Sequence, residues 1–180
     1  MIDETPTRIA ADVGENVTIK CGLSSYPQPL ITWKHNQQTI KDDKYITTSN
    51  NHNYTSKLII HNLNYENYGD YVCSAGNAYG AVKSIIRVER KGPPQPSSSP
   101  SVLDKGDTWL MLEWIPGFNG GYSDVSYTVS SSSGATKTKE HNCHYENPCN
   151  ITNLHTLNTY TFKVNITLRY HLQQLVNSTL

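Results

Sequence analysis

Apolar residues return at every second position through most of this chain, which is the period of a β-strand, and no stretch longer than one turn keeps the 3.6-residue period of a helix. Val17, Ile19 and Cys21 alternate with Asn16, Thr18 and Lys20; Leu58 and Ile60 alternate with Lys57 and Ile59; Tyr71 and Cys73 share a face. Farther on, Leu110, Leu112 and Trp114 share one face, and Tyr160, Phe162, Val164, Ile166 and Leu168 another. Turn-forming clusters lie between these runs, such as Ser24-Ser25-Tyr26-Pro27-Gln28-Pro29, Ser49-Asn50-Asn51-His52-Asn53 and Gly117-Phe118-Asn119-Gly120-Gly121. Composition agrees, with 12 Tyr, 9 Pro and only 17% charged residues, against about 25% in an ordinary soluble domain. Each short alternating strand must bury one face, so the expected class is all-β, as antiparallel two-sheet sandwiches.

One segment breaks the alternation. Lys91-Gly92-Pro93-Pro94-Gln95-Pro96-Ser97-Ser98-Ser99-Pro100 carries four prolines and three serines in ten residues, which removes ladder donors and disfavours helix. It reads as a semi-rigid, polyproline-like linker over 92–100, between a domain at 1–91 and a domain at 101–180. Each half then has the size of a small sandwich, and the fold expected is two β-sandwiches in tandem.

In the first half Cys21 is followed twelve residues later by Trp33, and Gly69-Asp70-Tyr71-Val72-Cys73 supplies a Tyr-x-Cys. This pattern resembles an immunoglobulin domain. The resemblance implies that Cys21 and Cys73 bridge the two sheets, that Trp33 packs on the bridge, and that Tyr71 forms a tyrosine corner. Asn67 stands where the family pattern has Asp, which removes an expected ion pair at the sheet corner. Gly76-Asn77-Ala78-Tyr79-Gly80 resembles the hairpin of intermediate-set domains, a type common in adhesion molecules. A bridge over so long a loop should stabilise by about 4 kcal/mol in the chain-entropy model. The other reading of the pair is two separate buried thiols, as in intracellular muscle immunoglobulin domains.

In the second half Trp114 ends a strand before Pro116-Gly117-Phe118-Asn119-Gly120-Gly121, Tyr127 sits on a later strand, and Leu154 precedes Tyr160 by six residues. This resembles a fibronectin type III domain. Thr156 and Asn158 replace the Pro and Thr of the family signature, so the turn before the strand of Tyr160 should be looser. Arg169-Tyr170-His171-Leu172-Gln173 lacks the usual glycine, which leaves a last strand from about Gln174 to Leu180 that looks cut short. Cys143 and Cys149, six residues apart around Asn147-Pro148, suit a local disulfide that staples a hairpin or loop. A metal site of His141, Cys143, His144 and Cys149 is the alternative, with spacing unlike the usual zinc patterns.

Asn-x-Ser/Thr acceptors occur at Asn16, Asn53, Asn150, Asn165 and Asn177. Asn16 and Asn165 fall on the polar parity of their strands and Asn53 in a polar turn, so these three are expected to face water. Exposable acceptors together with two disulfides favour the secretory pathway and an extracellular location. Formal net charge is +0, which argues against nucleic acid as a partner. Nucleophile, metal-hydrolase, phosphate-loop and Cys-x-x-Cys motifs are missing, so the expectation is no enzyme, no cofactor, no metal and no small-molecule substrate.

The domain order, with Gly92-Pro93-Pro94 and the glycine-rich run after Trp114, resembles invertebrate neural and epithelial adhesion proteins of the echinoid, nephrin and sidestep kind. That resemblance implies a membrane-proximal pair in a receptor anchored by a segment outside this sequence, with itself or a related immunoglobulin-superfamily receptor as partner. Tyr26, Tyr45, Tyr54, Tyr79 and Trp109 are candidate surface aromatics, and Tyr79 and Trp109 the preferred binding candidates. Trp109 alternates out of phase with Leu110, Leu112 and Trp114, which predicts an exposed ring available to cover the linker joint. Two other readings stand beside adhesion: an intracellular module of a muscle giant protein, and a stalk that only spaces distal domains.

Overall fold

The computed structural model describes residues 7–134, 138–144 and 147–168. All regular elements among them are strands except two 3-10 turns, Asp42–Lys44 and Tyr65–Asn67. The chain divides into two units, Met1–Lys91 and Gly92–Leu180, and each holds two sheets of its own.

The first unit runs β1 (Arg8–Ala10), β2 (Val17–Ser24), β3 (Leu30–His35), β4 (Gln38–Thr39), β5 (Tyr45–Asn50), β6 (Asn53–Ile60), β7 (Gly69–Asn77) and β8 (Gly80–Glu89). One sheet has the order β2-β6-β5 and the other β1-β8-β7-β3-β4; β1 joins β8 in parallel and the remaining pairs are antiparallel. The period-2 pattern sets what is buried: along β2 Val17, Ile19, Cys21 and Leu23 point inward while Thr18 and Lys20 face water. They meet Ile31, Trp33, Tyr71, Cys73, Ile86 and Val88 of the opposing sheet in one core. Removing that apolar surface from water is the main stabilising term. Asn51 and His52 sit at φ 44° and 66°, the left-handed pair that a two-residue hairpin requires, which fixes Asn50 opposite Asn53.

The second unit runs β9 (Ser98–Lys105), β10 (Leu110–Ile115), β11 (Val125–Ser132), β12 (Lys139–His144), β13 (Cys149–Ile151) and β14 (Thr161–Leu168), in sheets β13-β10-β9 and β12-β11-β14. Its core joins Leu112, Trp114, Tyr127, Val129, Cys143, Cys149, Ile151 and Leu154, with Tyr160, Phe162, Val164 and Ile166 packed against it. The two units are therefore β-sandwiches in tandem along the chain.

The proline-rich segment differs from a free tether. Ser98, Ser99 and Pro100 already belong to β9, and the residues before them lie against the second unit's own glycine loop, with Gly92 N–H donating to Gly120 O (3.2 Å) and Gln95 N–H to Phe118 O (2.8 Å). The glycines make this possible: a Cβ on Gly120 would stand 2.0 Å from Gly92 O, and one on Gly117 would stand 2.3 Å from Gln95 O. The last strand expected from Gln174 to Leu180 lies outside the described residues, as does Asn177.

Candidate interaction surface

Both cysteine pairs are bonded, Cys21 to Cys73 and Cys143 to Cys149. Cys21 is on β2 and Cys73 on β7, so the first bridge crosses between the sheets of its unit. The second does so too, because β12 and β13 belong to different sheets; its cysteines, six residues apart, span the connection before the strand of Ile151, so the local staple is of a loop and not of a hairpin. With all four sulfurs in disulfides, none of Cys143, Cys149 or their neighbours His141 and His144 forms the thiolate site considered above.

Trp33 lies opposite Cys73 in the ladder and donates its indole N–H to the buried hydroxyl of Ser56 (2.9 Å), which also accepts from Thr47 (3.2 Å). Tyr71 donates its hydroxyl to Asn67 O (2.9 Å), and burial pushes its pKa up to about 12. Asn67 replaces the expected ion pair with a capping role: its side chain accepts from Asn64 N–H (2.9 Å) while Asn64 accepts from Glu66 N–H (2.9 Å). Against Tyr71, 4.1 Å between ring centres, stacks His35, whose Nε2–H donates to Glu66 O (2.9 Å).

In the second unit Trp114 packs on Tyr127 with 5.2 Å between ring centres. Tyr160 accepts from His155 N–H (2.9 Å), which pins the long turn where Asn153 and Leu157 take positive φ and Leu157 stands in solvent. Sequence reasoning missed Asn147. Its carboxamide accepts from Trp114 N–H (3.1 Å) and donates to Trp114 O (2.7 Å), extending the ladder beyond the Leu112–Cys149 pair at which β13 begins. His141, considered above as a metal ligand, is engaged differently: its Nε2 is bonded with Ser131 Oγ (2.9 Å), and burial, then the charge of Lys139, holds its pKa below the usual imidazole value.

The candidate aromatics separate into three groups. Tyr26 and Tyr79 are 78% and 85% exposed and flank an open groove of about 360 Å³, floored by Leu23, Ala75, Gly76 and Val82 and free of charged lining residues. Asn77 shapes this end by donating to Ser25 Oγ (3.0 Å) and Pro27 O (2.9 Å) and accepting from Tyr79 N–H (2.9 Å). Tyr45 is half-buried, donating to Ile31 O (3.1 Å) and Asp42 (2.7 Å); burial, then the Asp42 hydrogen bond, pushes its pKa up to about 12. Tyr54 and Trp109 correct the surface reading. Tyr54 is in the core, and Trp109 is half-buried with its indole folded over Gly106, where a Cβ would stand 2.3 Å from Nε1.

Asn16, Asn53 and Asn150 are exposed. Asn165 departs from its predicted exposure: it is half-buried and donates through Nδ2, the atom a glycan would occupy, to Ser130 Oγ (3.1 Å).

Comparison with known proteins bears on the first unit most. Human hemicentin-1 is 30% identical over 125 residues, covering 62% of this chain and 2% of its own. Human contactin-2 is 28% identical over 131 residues, covering 70% of this chain and 13% of its own. The muscle M-line assembly protein unc-89 of Caenorhabditis elegans is 27% identical over 95 residues, covering 53% of this chain and 1% of its own. The chain thus spans a small part of each of these relatives. Residues 1–89, which hold Cys21, Trp33, Tyr71 and Cys73 in the geometry above, match the immunoglobulin I-set domain.

Proposed function

We propose that this chain is part of the extracellular region of an immunoglobulin-superfamily cell-surface receptor, and that it takes part in adhesion or recognition between cells through protein partners, itself or a related receptor. Residues 92–180 are, in this reading, a fibronectin type III domain close to the membrane, as in the echinoid, nephrin and sidestep kind of protein. What supports the type III assignment is the pairing of the first, second and fifth strands of the unit in one sheet and the third, fourth and sixth in the other, around Trp114, Leu154 and Tyr160.

The observation that carries the extracellular reading is the pair of buried disulfides, each joining two sheets, in a chain whose acceptors Asn16, Asn53 and Asn150 face solvent. Glycans at those three sites fit this reading; Asn165 would have to give up Ser130 first. The similarity to unc-89 favours the second reading, a muscle structural module, which has no use for disulfides. Intact mass before and after alkylation under non-reducing conditions separates them in protein from a native source. No alkylated cysteine, with added glycan mass that peptide N-glycosidase removes, is the expected result; four alkylated cysteines and no glycan overturn the proposal.

A further inference from the structure

We infer that the free edge of β5 is a strand-addition site for a second copy of this chain, paired antiparallel about a two-fold axis at Thr47. β5 ends its sheet, bonded to β6 alone among the described residues. An edge strand offers unpaired N–H and C=O groups, and proteins blunt such edges with charge, proline, bulges or shortness. The other sheet edges among the described residues are blunted in those ways. β1, β4 and β13 have three residues or fewer. β2 carries Lys20 at its middle and β14 carries Lys163, while β12 begins with Lys139 and Glu140. β9 contains Pro100, Asp104 and Lys105, and its register shifts twice. β5, Tyr45-Ile46-Thr47-Thr48-Ser49-Asn50, has neither charge nor proline, runs six residues without a register shift, and is exposed in all but Tyr45.

Hairpin geometry specifies which groups are free. The two-residue turn at Asn51 and His52 makes Asn50–Asn53 a hydrogen-bonded pair, so Thr48–Thr55 and Ile46–Lys57 are bonded as well. The backbone N–H and C=O of Tyr45, Thr47 and Ser49 therefore point away from β6. A second β5 satisfies all of them in one register, with Thr47 opposite Thr47 and Tyr45 opposite Ser49, closing six hydrogen bonds. That register sets Ile46, 64% exposed, beside the partner's Thr48, and Lys44 beside the partner's Asn50. No like charges meet, and a two-fold contact of this kind is self-complementary. One strand pair buries less than the roughly 1,000 Å² of a stable interface, so the association is weak in solution and suited to copies held at high local concentration.

The inference deepens the recognition reading above by naming a second copy as partner, and rests on it only in taking that partner to be a protein. The test is sedimentation of the full chain, disulfides intact and glycans trimmed, from micromolar to about 1 mM, with amide hydrogen exchange at both ends of the range. Expected is a reversible dimer in which the amides of Tyr45, Thr47 and Ser49 gain protection with concentration, while those of Ile46, Thr48 and Asn50 are protected throughout. Thr47→Lys, which sets two charges across the axis, and Thr47→Pro, which removes a central donor, should each weaken dimerisation at least about tenfold. Ser101→Lys on the β9 edge should leave it unchanged, and thermal melts establish that each variant folds. A monomer at about 1 mM, or a dimer indifferent to Thr47→Lys, overturns the strand pairing. The mass measurement above decides the compartment reading separately.

Discussion

The two units solve one mechanical problem, holding two sheets face to face, with the same kinds of parts drawn from different distances in the chain. In the first unit the bridge joins residues 52 apart, and in the second residues 6 apart, yet each runs from one sheet to the other. Each core has one central tryptophan, but Trp33 hands its indole N–H to Ser56 whereas that of Trp114 meets no acceptor among the described residues. Trp114 is instead held by its backbone, through both ends of the Asn147 carboxamide. Each unit has a tyrosine that pins the turn before its strand: Tyr71 donates to the carbonyl four residues back, and Tyr160 accepts from the amide five residues back. The first unit's bridge thus closes a long loop and the second's a short one, while the Asn147 clamp reaches across 33 residues. Remote closure removes more freedom from the unfolded chain, so the same chemical bond is worth more there.

The bridges give the largest test of that contrast. Chain entropy assigns about 4 kcal/mol to the Cys21–Cys73 bridge and about 2 kcal/mol to Cys143–Cys149. A Cys21→Ala, Cys73→Ala double variant should therefore lower the melting temperature of the first unit about twice as far as Cys143→Ala, Cys149→Ala lowers that of the second. Calorimetry of the intact chain reads both transitions. Equal losses would mean that the short bridge acts through native contacts, chiefly by presenting Asn147, and the contrast in loop length would lose its force.

Next come the polar partners of the two tryptophans. Ser56→Ala strands the indole N–H of Trp33 in a fully buried site and should cost about 1–3 kcal/mol. Asn147→Ala frees the N–H and C=O of Trp114 at a half-open edge where water can reach them, so about 1 kcal/mol is expected, confined to the second unit. Urea unfolding followed by tryptophan fluorescence measures both. A larger loss at Asn147 would show that the clamp is what replaces the missing long-range tie.

At alkaline pH the contrast should reappear. The folded pKa values of Tyr71 and Tyr45 are raised to about 12, from burial in the one case and burial with the Asp42 bond in the other, while an unfolded tyrosine titrates near ~10. Their stabilising effect is complete below the unfolded pKa and is lost as pH rises through the folded one. Tyr68 is raised as well, and among the described tyrosines of the second unit Tyr127 alone is raised. The first unit should therefore be the first to unfold above pH ~10, and Tyr71→Phe should narrow the gap. Near-ultraviolet absorbance of tyrosinate against pH, paired with calorimetry, checks the order.

The alternation of Val17, Ile19 and Cys21 and of Leu110, Leu112 and Trp114 made the sheets legible in the sequence, because burial of one strand face is enforced residue by residue. The Cys21, Trp33, Tyr71 and Cys73 set was legible through its resemblance to the immunoglobulin pattern, which left a bridge and two buried thiols both open. Parity failed where a side chain can fold back or a turn can shield it: Trp109 lies over Gly106 and Asn165 binds Ser130, whereas Tyr54, which shares its strand face with Ser56 and Leu58, follows parity into the core. Asn147 and the docking of Gly92 and Gln95 on the Gly117–Gly120 loop were beyond reach, since they depend on which loops the second sheet brings together. The bareness of the β5 edge is written in its six residues, but that it is an edge is a property of sheet order, which strand periodicity does not carry.

The smallest effect, and the one most local to the second unit, concerns His141. Burial and then Lys139 hold its folded pKa below the unfolded value of ~6.5, so the neutral ring bonded with Ser131 is the favoured form. The unfolded chain then binds the proton first as pH falls. Stability from this group is present above ~6.5 and is lost as pH falls through the folded pKa. His141→Gln keeps a polar partner for Ser131 without a titrating group, and should flatten the pH dependence of the second transition between about pH 5 and 7 while leaving the first untouched. Calorimetric scans across that window decide it. An unchanged slope would mean that protonated His141 swings out to water at no cost, leaving Ser131 to its longer bond to Lys139 O (3.4 Å), and the second unit would have one local clamp fewer than the geometry assigns it.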